Sequence, residues 1–359
     1  MTVNTATGPF DSAENDGAGK RFLIRASNIL IAFAAVVATS VALHPILPAP
    51  FVENVAPKLL FFAAHKNEFD TLFIGTSRIE HHLEPEIFDR VTAERGLPTR
   101  SFNLAVDDMH PPENFFVLDQ ILKMSPHLKW VVLEFEDIQS EPSPGARGTR
   151  RLAYWHDWPR TRLALHRIVD PKGNARWYAK LVRAALRHRD LVMHVSLFVK
   201  ESTNIGRLSE LLHDAGQPTR GETQLGPRRD GFRPPRAAMA PSRIAVYERK
   251  LQREVTHAHP RYIDPFAERT FREYAARFQQ LGTACAFVVT PVVTQSLLRF
   301  RPTPAPPGPL FSFNNASTYP QLYRAEVRAD ESHLTKESAD EFTRLFAEEF
   351  LRYREKKKL

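Results

Sequence analysis

Cysteine is nearly absent from this chain of 359 residues: Cys285 is the only one. An intrachain disulfide and a cysteine-based zinc site are therefore excluded. The lack of disulfides leaves the compartment open. No segment recurs at a fixed period, which excludes solenoid and propeller designs. The 28 prolines are scattered through loops and form no tandem repeat. What is present is a globular composition, 43% hydrophobic and 25% charged, long enough for one large domain or two smaller ones. The net charge of +8 makes a polyanion or an anionic surface a possible partner.

Charge is also missing from Ile29 to Leu43. With Phe22 to Ile24 and Ile46-Leu47, the apolar segment 22–47 reaches the length needed to cross a bilayer. Lys20, Arg21 and Arg25 lie at its N-terminal side and predict an N-in orientation. That places the main domain outside the cytoplasm, in the periplasm of a two-membrane cell. Residues 1–21 read as a disordered cytoplasmic tail. Ser40-Val41-Ala42 fits a small-x-small cleavage site, so a released, soluble form is the rival. The long polar stretch ahead of the apolar run favours an uncleaved anchor.

Beyond Pro45, Pro48 and Pro50 the pattern is α/β. Residues 51–69 read as a short amphipathic connector. Apolar runs predict strands at 71–74, 101–106, 130–136 and 283–290, with helices at 85–94, 112–123, 265–281 and 336–353 between or after them. Strands alternating with helices imply a parallel sheet with right-handed crossovers. The segment 51–140 forms the first part of this core and 263–354 the second. Between them, 141–262 reads as a basic, mostly helical insertion, with helices at 175–189 and 191–199 and a Gly/Pro/Arg-rich loop at 216–241. Residues 145–262 carry 24 Lys or Arg against 10 Asp or Glu, an excess of 14. The rest of the chain is therefore net acidic. Such an insertion is either a solvated helical elaboration or a basic surface for an anionic glycan, lipid headgroups or a partner. An extracytoplasmic location argues against nucleic acid.

The chemistry centres on Asp70-Thr-Leu-Phe-Ile-Gly-Thr-Ser-Arg78. A buried strand stops at Gly75 and delivers Ser77 onto a turn before a helix. That places a hydroxyl at the sheet edge, beside unpaired N–H groups that suit an oxyanion. Far along the chain, Asp330 and His333 have the spacing to supply a carboxylate and a base from one loop. Both segments sit where a strand end meets a helix start, and such ends gather along one edge of a parallel sheet. A hydroxyl, a base and a group that holds the base are what acyl transfer through serine requires.

Gly75-Thr-Ser77-Arg78 resembles the nucleophile block of the SGNH/GDSL hydrolase superfamily. Asp330-Glu-Ser-His333-Leu334 resembles its Asp-x-x-His block. Phe102-Asn103-Leu104-Ala105 is similar to a segment of membrane-anchored members, the branch that includes alginate O-acetylation and teichoic acid D-alanylation proteins. The resemblance covers half the chain or less. It implies a three-layer flavodoxin-like fold, with Ser77 as nucleophile, His333 as general base and Asp330 as its orienting carboxylate. It implies no metal and no cofactor. The expected activity is acyl transfer or ester hydrolysis on an exported or cell-surface polysaccharide, most naturally of acetyl groups, with a membrane-bound acyl-donor protein as partner. A non-catalytic glycan-binding protein on the same scaffold is the alternative.

The oxyanion hole departs from the family pattern. Asp107-Asp108 occupies the turn where a glycine is expected, and Glu134-Phe-Glu136-Asp137 stands where the family has an asparagine. Acidic groups near a developing oxyanion oppose it unless they are neutralised or turned away. Arg78, Asn103 and Asp108 are the candidates for oxyanion or substrate contacts. His81 and His82 read as exposed surface residues, and His110 lacks an evident third ligand for a metal site.

Overall fold

The computed structural model describes residues 12–44, 46–47, 51–52, 54–139, 141, 149–204, 207, 222–235 and 237–357. A long helix α1, Ser12–Leu43, contains one 20-residue stretch, Ile24–Leu43, long and apolar enough to span a membrane, with none of it buried against the rest of the protein. The helix begins at Ser12, so the expected disordered tail is helical over 12–21; residues 1–11 lie outside the described residues.

The core follows as α2 (Ala56–His65), β1 (Thr71–Ile74), α3 (Ser77–His82), α4 (Pro85–Glu94), β2 (Ser101–Asn103), α5 (Glu113–Met124) and β3 (Trp130–Glu134). The insertion carries α6 (Trp158–Val169), α7 (Trp177–Leu186), α8 (His188–Ser202) and α9 (Pro241–Thr256). Then come β4 (His259–Tyr262), α10 (Pro265–Gln280), β5 (Ala284–Val289), β6 (Ser296–Arg299), β7 (Leu310–Ser312) and α11 (Lys336–Lys357). Five strands form one parallel sheet in the order β2-β1-β3-β5-β7, and β4 pairs with β6 in a small parallel sheet.

Every residue of β1 and β3 is buried, as expected of strands covered on both faces. Side chains alternate between the faces. Leu72, Ile74, Val131, Leu133 and Phe287 join an apolar cluster with α2, α5 and α10. Phe73, Val132, Ala286 and Val288 join another with α4, α9 and α11. From β1 the chain moves to β2 on one side and then returns to β3 on the other. The carboxyl ends of β1 and β3 thus flank a topological switch point, where open α/β sheets leave a crevice.

Several expectations change. The strand expected at 101–106 is regular only to Asn103; beyond it Leu104 N–H still donates to Phe73 O (2.9 Å) and Val106 N–H to Gly75 O (3.2 Å), while the Ala105 N–H turns to the Asn103 side chain (3.0 Å). The Pro-rich segment 301–320 contains β7, a full member of the sheet. The helix α3 was not anticipated, nor was the β4–β6 pair. The last helix continues to Lys357 rather than ending at Tyr353. Of the expected 216–241 loop, 216–221 and 236 lie outside the described residues. The part from 230 to 233 lies along the β2 edge, and Gly231, at φ 83°, has no room for a side chain against the Asn103 carbonyl.

Part of the insertion's positive charge meets core acids. Arg151 pairs with Glu113 (2.8 Å), Arg167 with Asp264 (2.9 Å) and Arg233 with Glu80 (3.4 Å), while Arg160 pairs with Asp119 and Lys250 with Glu331. The local excess is in part the complement of an acidic core.

Phe346 of α11 is fully buried, stacked on Phe88 (5.5 Å) and edge-on to Phe311 (5.4 Å). Phe346→Ala is expected to destabilise the protein by about 3–5 kcal/mol, read as a lower urea midpoint of the detergent-solubilised chain.

Candidate active site

The turn after β1 is shaped by a buried carboxylate. Glu134, at the end of β3, accepts the Thr76 N–H (2.7 Å) and the Thr290 hydroxyl (3.0 Å) and forms an ion pair with Arg78 Nε (2.8 Å). A Cβ built on Gly75 would stand 2.7 Å from Glu134 Cβ and 2.5 Å from Ile79 Cγ1, so only glycine lets the chain pass. Thr76 then caps α3, its hydroxyl accepting the Arg78 N–H (3.3 Å). Ser77 is the first helical residue, and its N–H has no acceptor one turn back.

The second loop is gathered by Arg328, whose buried guanidinium donates to the carbonyls of Pro291 (3.0 Å), Leu322 (3.3 Å), Asp330 (3.2 Å) and Glu331 (2.5 Å). The Leu334 N–H donates to His82 Nε2 (3.0 Å), which ties this loop to α3. Burial, reinforced by the neighbouring His333, pushes the His82 imidazole well below its usual range, so it stays a neutral acceptor.

These constraints bring the two segments together. Ser77 Oγ lies 2.8 Å from His333 Nε2, and His333 Nδ1 lies 2.9 Å from both carboxylate oxygens of Asp330. Asp330 Oδ1 also accepts the N–H groups of Ser332 (2.7 Å) and His333 (2.9 Å). Burial alone would raise the Asp330 carboxyl; the His333 ring and these N–H donors hold it well below the usual range. An ionised Asp330 keeps the His333 proton on Nδ1 and leaves Nε2 free to accept from serine.

A polar cleft of about 240 Å³ opens beside Ser77, lined by His81, Asp107, Asp108, Pro235, Ala329, Asp330 and His333. Asp108 faces it from a left-handed turn (φ 59°), the conformation a glycine at this position would adopt most readily. His81, expected at the surface, is buried, with Nδ1 2.7 Å from Arg233 O and Nε2 3.2 Å from Asp107. The His81 hydrogen bond, outweighing partial burial, lowers Asp107 to about 2. His82 is fully buried as well. Their adjacency makes them diverge, one toward the cleft and one toward the Leu334 loop.

Compared with family models, curated proteins and solved structures, the chain matches none. The site is therefore read from its own geometry. Ser77, His333 and Asp330 are together as expected. Asn103 is not at the cleft: it is fully buried, and its amide donates to the carbonyls of Ile79 and Leu83 (both 2.8 Å), so it splints α3 and faces no substrate. Arg78 is committed to Glu134 and Glu136 (2.6 Å) and lines a neighbouring cleft instead. His110 pairs with Glu136 (3.0 Å). Burial alone would lower His110, but Glu136 raises it; burial alone would raise Glu136, but His110 and Arg78 lower it. Of the acids that threatened an oxyanion, Glu134 and Glu136 are thus turned aside and balanced, while Asp107 and Asp108 stay at the cleft.

Glu80, His81 and Asp107 bring possible ligand atoms within 4.8 Å of one another. Lys58 Nζ (2.9 Å) and Arg233 Nη1 (3.4 Å) already meet Glu80, so this trio serves as an ion-pair network. Arg328 was missed by sequence reasoning, while His82 was read as a surface residue and Glu134 as an acid opposing the oxyanion, and neither was read as a support of the site. No spacing marks a residue whose partners are distant carbonyls.

Gly75→Ala is expected to cost about 1–3 kcal/mol through overpacking against Glu134, measurable by urea unfolding. Asp107 is depressed in the folded protein, so its contribution to stability is full above the unfolded value of about 4 and is lost as pH falls toward about 2. The Tm difference between wild type and Asp107→Asn should shrink as pH falls from about 4 toward about 2.

Proposed function

We propose that this chain is a membrane-anchored, serine-dependent O-acyltransferase or esterase of SGNH type, acting outside the cytoplasm on the O-acyl groups, most naturally acetyl, of an exported or cell-surface polysaccharide. The observation that carries the reading is the Ser77–His333–Asp330 relay at the mouth of a polar cleft. Within the large sheet the strand order, counted along the chain, is 2-1-3-4-5, which supports the flavodoxin-like assignment. The 20-residue apolar helix supports a single-pass anchor.

In the mechanism, Ser77 Oγ attacks the acyl carbonyl as its proton passes to His333 Nε2. The tetrahedral oxyanion is held by the N–H of Ser77 at the start of α3. Collapse breaks the ester bond, and the leaving alcohol takes the proton from His333. A sugar hydroxyl or water then loses its proton to His333 and attacks acyl-Ser77, regenerating the serine. Asp330 stays ionised and steadies the imidazolium. Asp107 and Asp108 offer carboxylates to the hydroxyls of a neutral sugar. Pro235 from the insertion forms part of the cleft wall. A membrane-bound acyl-donor protein would supply the acyl group.

One observation favours a non-catalytic glycan-binding protein: no side-chain amide lines the cleft among the described residues. Covalent trapping of the full chain in detergent by a fluorophosphonate separates the two. Wild type is expected to label at Ser77 and Ser77→Ala not at all. Asp330→Asn should slow labelling by up to about four orders of magnitude by releasing the wrong His333 tautomer. A wild-type protein that stays unlabelled sinks the enzyme.

A further inference from the structure

Helix α7 is inside out. A helix on a water-soluble surface turns its apolar stripe to the core and its charges to solvent. In α7, Lys180 and Arg183 turn inward: Lys180 Nζ meets Asp170 at 2.9 Å and Arg183 Nη1 meets Val169 O at 3.4 Å. Trp177, Tyr178, Leu181, Val182 and Leu186 are exposed, from 51% for Tyr178 to 76% for Leu186. Their spacing places them on one face, and no residue of α7 is buried. Helix α8, packed on α7, exposes Val192, Val195 and Val199 at positions that also share a face. An apolar surface of this kind requires a cover.

The cover is indicated by what α8 touches. Its C-terminal end is hydrogen-bonded to the C-terminal end of α1. Asn204 Nδ2 donates to Ser40 O (2.7 Å), the Ser40 hydroxyl donates to Thr203 O, and His44 Nδ1 lies 3.0 Å from Asn204 Oδ1. Ser40 and His44 close the apolar stretch Ile24–Leu43, so α8 ends where that stretch would leave the hydrocarbon. Of the seven lysines and arginines from Lys172 to Lys200, Lys180 and Arg183 turn inward and Arg187 pairs with Glu141 and Asp190, which leaves Lys172, Arg176, Arg189 and Lys200 exposed beside the apolar face. Tryptophan, tyrosine and aliphatic residues with basic neighbours make the composition of a helix lying in a headgroup layer, and the positive excess complements anionic lipid.

We propose that the α7–α8 hairpin is a second membrane contact, seated in the anionic lipid surface from which α1 emerges. This rests on the reading of α1 as an uncleaved anchor. A single span leaves a domain free to swivel; a second contact fixes the height and facing of the Ser77 cleft over the bilayer.

Native Cys285 is buried, so a nitroxide can be attached selectively at an introduced surface cysteine. The full chain is reconstituted in phosphatidylcholine–phosphatidylglycerol vesicles carrying one label, from Leu181→Cys, Leu186→Cys, Phe33→Cys in α1 or the exposed Glu273→Cys. Collision rates with oxygen and with an aqueous nickel chelate are then read. Labels at 181 and 186 are expected to be severalfold less accessible to the chelate than that at 273, and more accessible to oxygen, as at 33. Labels at 181 and 186 as open to the chelate as 273, with 33 shielded, overturn the hairpin contact and leave the anchor standing. A label at 33 open to the chelate removes the anchor and this proposal with it. Labels at 181 and 186 shielded from both agents, or broadened by spin–spin contact, mean that protein covers the face and overturn the lipid assignment.

Discussion

The geometry of the site depends on a carboxylate held out of water. Glu134 ends the central strand β3, where its charge would be unfavourable without partners. A backbone N–H, a hydroxyl and a guanidinium satisfy it, all from the segments that surround the serine turn or the neighbouring strand. Its presence forces glycine at 75 and aims the Thr76 N–H, which sets where α3 begins. The orientation of Ser77 follows from the satisfaction of that charge.

A buried cation plays the matching part on the other loop. Arg328 draws four carbonyls around its guanidinium, two of them in the loop that carries His333. Breaking either buried group would leave unsatisfied polar atoms, at a cost of several kcal/mol. Ser77 and His333 meet because both supports are anchored in the same sheet. This is preorganisation in the physical sense: polar groups are ordered when the protein folds and need little reorganisation when substrate arrives.

The insertion belongs to the same electrostatic design. Part of its excess positive charge answers an acidic core, and its 230–235 segment covers the open edge of β2 and walls the cleft. An exposed edge strand invites pairing with other chains, so the cover protects the sheet as well as shaping the site. The outward apolar faces of α7 and α8 are the parts of the insertion that we propose meet a less polar surrounding than water.

The bounds of β1 and α4, the existence of most core elements and the apolar N-terminal helix were legible in the chain, because periodicity, proline placement and uninterrupted apolar runs are local signals. The serine was legible from its place at the end of β1, and the aspartate and histidine from their spacing just ahead of the last helix, though their loop does not follow a strand end: β7 stops at Ser312. Other features depended on partners far away in sequence: Asn103 splinting α3, Arg78 neutralising two glutamates, both histidines going inside, and β7 emerging from a proline-rich stretch. Polar side chains have many possible mates in a sequence and few in a packed structure. Which of them faces substrate and which holds the scaffold is decided only when burial makes each unsatisfied group costly.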